Sequence, residues 1–189
     1  MIKKFKKLVK NIFGNSNSKF LNVEVMKGAL ISADTLIGEY SYIGFNSFIT
    51  KSNIGRYCSI GANVSIGLGE HVIDGISTSS LFYKNPYSIL TQKDCIIGND
   101  VWIGVDSIIR RGVKIGNGAI VGANSFVNKN VPPFAIVAGV PATIIKYRFS
   151  DEQIVKIADS NWWDFNIKEA QVIISTLSKE LDVVDISIL

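Results

Sequence analysis

Residues 37–66 read IGEYSYIGFNSFITKSNIGRYCSIGANVSI, and residues 97–127 read IGNDVWIGVDSIIRRGVKIGNGAIVGANSFV. An isoleucine or valine recurs every sixth residue in both arrays, apart from one five-residue step from Ile49 to Ile54. A glycine follows most of these residues, and a small or β-branched residue lies four positions after them. The full set of repeating aliphatic positions is Val25, Ile31, Ile37, Ile43, Ile49, Ile54, Ile60, Ile66, Ile97, Ile103, Ile109, Ile115, Val121 and Val127.

A strict period of six matches neither an α-helix, which needs about 3.6, nor an ordinary strand, which needs 2. It fits a coil of short strands in which each six-residue unit forms one side of a triangular turn and points its aliphatic residue inward. Successive turns would stack at the strand spacing of roughly 4.8 Å, and glycine would allow close corners. A β-sandwich would alternate apolar and polar residues instead. The repeats therefore predict a mainly β protein built as a parallel β-helix.

Composition and charge exclude several classes of protein. The chain has 189 residues, of which 47% are hydrophobic and 19% charged, so it is not disordered throughout, and no apolar run reaches the roughly 18–20 residues of a membrane span. Two cysteines cannot build a disulfide framework, which favours the cytoplasm. The formal net charge of +4 would be −1 without five lysines in the first ten residues, so we expect no nucleic-acid-binding face.

We divide the chain into an N-terminal segment (1–20), a β-helix domain (21–149) with a loop over 68–96, and a C-terminal helical cap (150–189). Residues 1–13 alternate lysines with apolar residues, as in a basic amphipathic helix. Two interpretations stay open for it: weak peripheral contact with an anionic membrane at its inner face, or packing on the β-helix with solvated lysines.

The loop carries the single histidine, His71, and the aromatic residues Phe82, Tyr83 and Tyr87. In the C-terminal region, Ser150 with Gln153 predicts a capping box that opens one helix, and Asn166 with Glu169 starts a second. The second helix has an apolar stripe, and we expect the two helices to cover the open end of the coil. The stripe comprises Ile167, Ala170, Ile174, Leu177 and Leu181.

Several motifs resemble the hexapeptide-repeat acyltransferases, and most of all their xenobiotic acetyltransferase branch with its polysaccharide O-acetyltransferase relatives. The resemblance rests on the six-residue repeats together with several motifs. These are IGNDVWIG (97–104), VAGVPA (137–142), Gly69-Glu70-His71 followed by Ser77-Thr78, Arg148-Phe149, and Trp162-Trp163. It implies a left-handed β-helix, a homotrimer with active sites between subunits, and acetyl-CoA as donor. The family often has proline where this chain has Val72 and Ser80, which leaves the path of the loop open.

The same resemblance assigns His71 as the catalytic base, and an imidazole suits this role because it can accept a hydroxyl proton near neutral pH. Phe82 and Tyr83 are expected to contact the acceptor. One histidine and two separated cysteines make no metal-ligand set, so no metal is expected. Cys58 occupies an inward position of a six-residue repeat, which predicts a core residue. Cys95 borders the loop, and a role as nucleophile is left open for it.

Donor-binding residues also follow from the resemblance. Backbone amides near Gly104, Val105 and Ala123 are expected to contact the pantetheine arm, and Trp102 either lines the groove near the thioester or packs at a trimer interface. Cationic side chains are expected at the 3′-phosphate. The remaining expected contacts are Asn128, Lys129, Pro141, Ala142, Thr143, Lys146 and Arg148.

The expected function is acetyl-CoA-dependent O-acetylation of a sugar or polysaccharide-precursor hydroxyl in polysaccharide biosynthesis. Antibiotic-modifying relatives commonly carry a long excursion in the early coils, whereas residues 37–66 run almost uninterrupted. The alternatives are O-acetylation of a xenobiotic of the chloramphenicol or streptogramin type, N-acetylation of an amino sugar, and a non-catalytic scaffold, which would need neither His71 nor a CoA site.

Overall fold

A computed structural model describes residues 20–186 of the chain. The predicted N-terminal helix, within residues 1–13, lies outside the described residues. Most strands contain only two residues, as expected for sides of a tightly wound coil. They are β1 Glu24–Val25, β2 Leu30–Ile31, β3 Leu36–Ile37, β4 Tyr42–Ile43, β5 Phe48–Ile49, β6 Ser52–Ile54, β7 Ser59–Ile60, β8 Ser65–Ile66, β9 Cys95–Ile97, β10 Trp102–Ile103, β11 Ile108–Ile109, β12 Lys114–Ile115, β13 Ile120–Val121, β14 Phe126–Val127, β15 Ala135–Gly139 and β16 Ala142–Tyr147.

The strands form three sheets, and three consecutive strands contribute one to each sheet through most of the coil. Face A has the order β1-β4-β7-β10-β13-β15-β16, face B contains β2, β5, β8, β11 and β14, and face C contains β3, β6, β9 and β12. Pairing between successive turns is parallel, with Ile43 opposite Ile60 and Ile60 opposite Ile103. This topology confirms the predicted parallel β-helix; its left hand stays a prediction implied by the family.

The repeating aliphatic residues form the core of this coil. Ile43, Ile60 and Ile103 are completely buried and lie above one another inside face A. The small residues four positions later are buried as well, and two of them bond to the next coil: the Ser41 and Ser47 hydroxyls donate to backbone carbonyls at 3.1 and 2.9 Å. The six-residue pattern therefore predicted which side chains point inward.

The three corners of the coil differ in their residues. At the A/B corner and the C/A corner a glycine follows most strands, because a Cβ there would collide with the backbone of the next turn. The residue two places after such a glycine often adopts a left-handed conformation, for example Asn46 at a φ of 56° and Asn63 at 57°. The B/C corner instead carries Ser32, Thr50, Gly67, Arg110 and Asn128 directly after its strands.

The coil differs from the sequence-based prediction at two places. The repeating aliphatic positions found in the sequence end at Val127, but β15 adds a further strand to face A, with Val137 buried opposite Val121. The predicted loop, 68–96, also extended past Cys95 at its C-terminal border. Cys95 instead begins β9 and is fully buried opposite Ser52, so the excursion from the coil ends at Asp94.

The chain consists of two compact units, one up to Lys146 and a second from Tyr147. The second unit contains helix α2 (Asp151–Ser160) and helix α3 (Ile167–Glu180), and both capping boxes are present as predicted. Of the predicted stripe on α3, Ala170 is buried, but Ile167 is 55% exposed and does not belong to the packed face. The loop of the first unit contains one short helix, α1 (Pro86–Leu90).

Within the second unit, the Gln153 side-chain amide donates to the Leu181 carbonyl at 3.1 Å, and Trp162 and Trp163 are buried. The expected role of these helices as a cover for the coil stays a prediction. Among residues 20–186, no helix combines the length and apolar character required to cross a bilayer.

Candidate active site

The loop that carries His71 leaves the coil between β8 of face B and β9 of face C. It therefore projects from the B/C corner, and the His71 side chain is exposed to solvent. The segment from His71 to Ser79 contains neither helix nor strand, so individual hydrogen bonds hold its conformation.

The shortest of these contacts involves the imidazole itself. His71 Nδ1 lies 2.6 Å from the backbone carbonyl oxygen of Thr78. Because a carbonyl oxygen can only accept, Nδ1 must carry the proton in this contact. In the neutral ring the other nitrogen, Nε2, then keeps its lone pair and can accept a proton from a substrate. The loop thus holds the histidine in the tautomer that a general base requires.

The residue before the histidine is tied to the coil. Glu70 accepts two hydrogen bonds from Arg110, at 2.6 Å from Nε and 3.2 Å from Nη2, and this contact raises the pKa of the Arg110 guanidinium. The Glu70 backbone N–H also donates to the Leu90 carbonyl at 2.9 Å, which closes the base of the loop. Sequence reasoning did not identify Arg110, although it stands at a hexad position that glycine occupies elsewhere in the second array.

A second anchor holds the far end of the loop. The Tyr87 hydroxyl lies 2.8 and 3.0 Å from the carboxylate oxygens of Asp34 at the same corner. Partial burial opposes ionisation of Asp34, but hydrogen bonds from Ser32 and Tyr87 outweigh it and lower the Asp34 pKa. Lys51 also donates to the Thr91 carbonyl at 2.9 Å. The loop is therefore held by the coil on both sides of His71.

Neither cysteine has the environment of a nucleophile. Burial raises the pKa of Cys58 to about 12, and it raises the pKa of Cys95 as well. Both are free thiols, and Cys95 donates to the Arg110 carbonyl at 3.2 Å. The open question about Cys95 is thus answered by its place in the core. Within residues 20–186, no three His, Cys, Asp or Glu side chains are grouped so that they could hold a metal ion.

Four of the predicted donor residues lie together on face A and at the A/B corner. Trp102 points outward from β10, is 55% exposed, and lies between Ser59 and Ile120 on the neighbouring strands. Gly104, Val105 and Ala123 follow at the adjacent corner. The backbone N–H groups of Val105 and Ala123 donate no hydrogen bond to any other residue that the structure describes. They are suitable donors for the amide carbonyls of an extended ligand.

The other predicted residues lie elsewhere. Asn128 and Lys129 follow β14 at the B/C corner, and the buried Oδ1 of Asn128 has no hydrogen-bond partner within residues 20–186. Pro141 lies between β15 and β16, and Ala142, Thr143 and Lys146 belong to β16. Arg148, in the second unit, stacks its guanidinium 5.0 Å from the Phe149 ring centroid. In the loop, Phe82 is 78% exposed, and the Tyr83 hydroxyl contacts the loop backbone.

Comparisons with known proteins agree with this geometry. The profile described as "Bacterial transferase hexapeptide (six repeats)" matches residues 94–129. A probable macrolide acetyltransferase from Lysinibacillus sphaericus is 37% identical over 147 residues, which cover 72% of this chain and 79% of that protein. The chain belongs to the hexapeptide-repeat transferase family. This assignment confirms the resemblance drawn from the hexads and the loop motif.

Two further proteins extend the comparison of this hexapeptide-repeat transferase. A chloramphenicol acetyltransferase from Escherichia coli is 40% identical over 131 residues, or 62% of each chain. The chain spans about three fifths of the length of the curated chloramphenicol acetyltransferases that it matches. A hexapeptide-repeat acetyltransferase from Vibrio cholerae O1 biovar eltor, solved with acetyl coenzyme A, superposes with a TM-score of 0.56, 26% identity and 79% coverage of both chains.

Proposed function

We propose that the protein is an acetyl-CoA-dependent O-acetyltransferase in which His71 is the general base. The observation that carries the proposal is the contact between His71 Nδ1 and the Thr78 carbonyl, which leaves Nε2 able to accept a proton. The acetyl-CoA complex of a related structure supports the choice of donor. In this chain, the uncommitted N–H groups of Val105 and Ala123 and the unpaired Asn128 Oδ1 are suited to the amides of pantetheine.

The proposed reaction is a direct transfer without a covalent enzyme intermediate. Nε2 of His71 removes the proton from the acceptor hydroxyl while its oxygen attacks the thioester carbonyl carbon. The tetrahedral oxyanion then collapses, the bond from carbon to sulfur breaks, and the leaving thiolate takes the proton from the imidazolium. The products are the acetyl ester and CoA with a free thiol. The buried cysteines take no part in this reaction.

The proposed active site lies between two copies of the chain in a homotrimer. Within one coil, Trp102 points outward from face A, whereas the His71 loop leaves the B/C corner, which is opposite face A in a triangular cross-section. One copy therefore offers the base on one side and the donor-binding surface on the other. A side-by-side arrangement of copies would bring the His71 loop of one to face A of the next.

For the acceptor, we propose a hydroxyl of a sugar or polysaccharide precursor. Strands β1 to β8 follow one another with at most four intervening residues, so the early coils carry no excursion that would enclose a large apolar antibiotic. A xenobiotic acceptor is the second candidate, and it is favoured by the identity to chloramphenicol and macrolide acetyltransferases. The proposed compartment is the cytoplasm, in keeping with two free buried thiols.

The central test replaces His71 by alanine. We expect the kcat of the purified protein to fall roughly 10²- to 10⁴-fold, because the hydroxyl proton loses its acceptor. Thermal stabilisation by CoA should be retained, since the donor surface is untouched. The matched control is Lys84→Ala, another exposed residue of the same loop, which should keep the wild-type rate. Undiminished kcat in His71→Ala would reject the proposal.

A complementation experiment tests the shared site. His71→Ala and Ala123→Trp should each be inactive, the second because the indole blocks the donor surface at an exposed corner. In co-assembled trimers, about a quarter of the interfaces would combine an intact His71 with an intact Ala123 surface, so activity should return. No recovery in verified mixed trimers would mean that each copy builds its site alone.

Acceptor class is tested by free-thiol release from acetyl-CoA with sugars, nucleotide sugars, chloramphenicol, a streptogramin and a macrolide. Turnover of the saccharides alone supports the first candidate, and turnover of the antibiotics alone supports the second. An amino sugar whose amine is the acetylated group would indicate N-acetylation. Failure of CoA to raise the melting temperature would favour a non-catalytic scaffold.

A further inference from the structure

A tyrosine hydroxyl lies at the centre of the contacts around His71. The Tyr83 Oη accepts a hydrogen bond from the backbone N–H of Val72 at 2.9 Å and donates to the Thr78 carbonyl at 3.2 Å. The same Thr78 carbonyl receives the Nδ1 proton of His71. One hydroxyl thus joins the residue that follows the histidine to the carbonyl that orients the histidine.

The rest of the loop fixes the tyrosine itself. Its backbone N–H donates to the Ser80 carbonyl at 3.1 Å, at the end of a 3₁₀ turn over Ser80–Phe82 that Ser79 caps. The Tyr83 ring is half-buried, and its centroid lies 6.3 Å from that of the imidazole with an interplanar angle of 50°. An ordered side chain therefore holds a segment that has no regular structure of its own.

We infer that Tyr83 is a positioning residue, which keeps the Thr78 carbonyl and residue 72 in place so that His71 stays in the Nδ1–H tautomer. The inference rests on the proposed role of His71 as base. It differs from our sequence-based expectation that Tyr83 contacts the acceptor, because the hydroxyl is committed on both sides to the loop backbone. Without that hydroxyl the Val72 N–H and the Thr78 carbonyl each lose a partner, and the imidazole loses its fixed acceptor.

The kinetic test uses Tyr83→Phe, which removes only the hydroxyl. We expect kcat to fall roughly 10- to 100-fold through misplacement of the base, with KM for acetyl-CoA and for the acceptor unchanged. The matched control is Tyr87→Phe, which removes another tyrosine hydroxyl of the same loop, bonded to Asp34 rather than to the His71 segment. It should lower kcat far less. A higher acceptor KM with unchanged kcat in Tyr83→Phe would overturn the inference in favour of acceptor contact.

A second readout does not depend on enzymatic activity. His71 is the only histidine in the sequence, so ¹⁵N-histidine labelling of untagged protein yields one pair of ring-nitrogen signals. We expect the Nδ1–H tautomer in the wild type and in Tyr87→Phe, and a mixture of both tautomers in Tyr83→Phe. An unchanged single tautomer in Tyr83→Phe would overturn the inference even if the proposed reaction is correct.

The double variant His71→Ala/Tyr83→Phe separates the two proposals. If Tyr83 acts through His71, the second substitution should lower kcat no further once the imidazole is gone. An additional fall of tenfold would show that Tyr83 acts independently and would refute the inference. Wild-type kcat in His71→Ala alone would reject the proposed function, while the tautomer measurement would still report on the positioning role.

Discussion

Replacing Gly44 by alanine tests the packing of the coil at its A/B corner. A Cβ on residue 44 would lie 2.4 Å from the carbonyl carbon of Gly61 and 2.5 Å from the amide nitrogen of Ala62. Ordinary van der Waals contact begins at 3.4 Å, so the methyl group would be about 1 Å too close to backbone that no rotamer change can move. The two turns must separate at this corner.

The expected cost follows from the bonds that span this gap. The Gly44 N–H donates to the Ile60 carbonyl at 2.8 Å, and the Asn63 N–H donates to the Phe45 carbonyl at 2.8 Å. A separation of most of an ångström would stretch both beyond useful length, at about 1 kcal/mol each. Overpacking of the buried corner adds about 1 kcal/mol or more. We therefore expect a loss of about 3 kcal/mol and a melting temperature lower by roughly 6–12 °C.

Scanning calorimetry of Gly44→Ala against Gly75→Ala measures this effect. Gly75 lies in the exposed loop, where a Cβ would meet only the Ser77 carbonyl oxygen at an ordinary 3.5 Å. The melting temperature of Gly75→Ala should therefore differ from that of the wild type by less than about 1 °C. The comparison cancels the general effect of alanine on the unfolded chain. Equal melting temperatures for the two variants would refute the argument that glycine is required by close approach of the turns.

Three further predictions concern the loop anchor, a buried thiol and a helix cap. Glu70→Gln should lower kcat several-fold by loosening the contact with Arg110 beside the base. Lys156→Gln, in another exposed ion pair, should leave kcat unchanged. The pKa of the Cys58 thiol is about 12 in the folded protein, above its unfolded value of 9.0. The thiol's contribution to stability is therefore present below pH 9 and is lost as the pH rises towards 12. The destabilisation caused by Cys58→Ala, measured by urea unfolding, should be smaller at about pH 10.5 than at about pH 8. Ser150→Ala removes the cap of α2 and should cost about 1 kcal/mol in the same assay, while an unchanged midpoint would mean that the capping box does not stabilise this helix.

The coil could be predicted from the sequence because its determinants repeat. An aliphatic residue occupies the same register position in successive turns of the coil. Ile43, Ile60 and Ile103 therefore have the same environment, and the position of one predicts that of the others. The helix starts at Ser150 and Asn166 were equally predictable, since both parts of a capping box lie within four residues. Ile167 was wrongly predicted to lie on the packed face of α3, because the helical period alone does not say which neighbours a helix has.

The sequence by itself determined the triangular coil, the excursion near residue 68 and His71 as the side chain best suited to accept a proton. Only the tertiary structure decided how that histidine is held. Arg110 reaches Glu70 across 40 residues, and Tyr87 reaches Asp34 across 53, so no local pattern connects them. The carbonyl that orients the imidazole belongs to Thr78, yet every residue has a carbonyl group. Which one accepts the Nδ1 proton depends on the path of the aperiodic loop between these anchors, where the Tyr83 hydroxyl joins Val72 to Thr78, and not on a repeat.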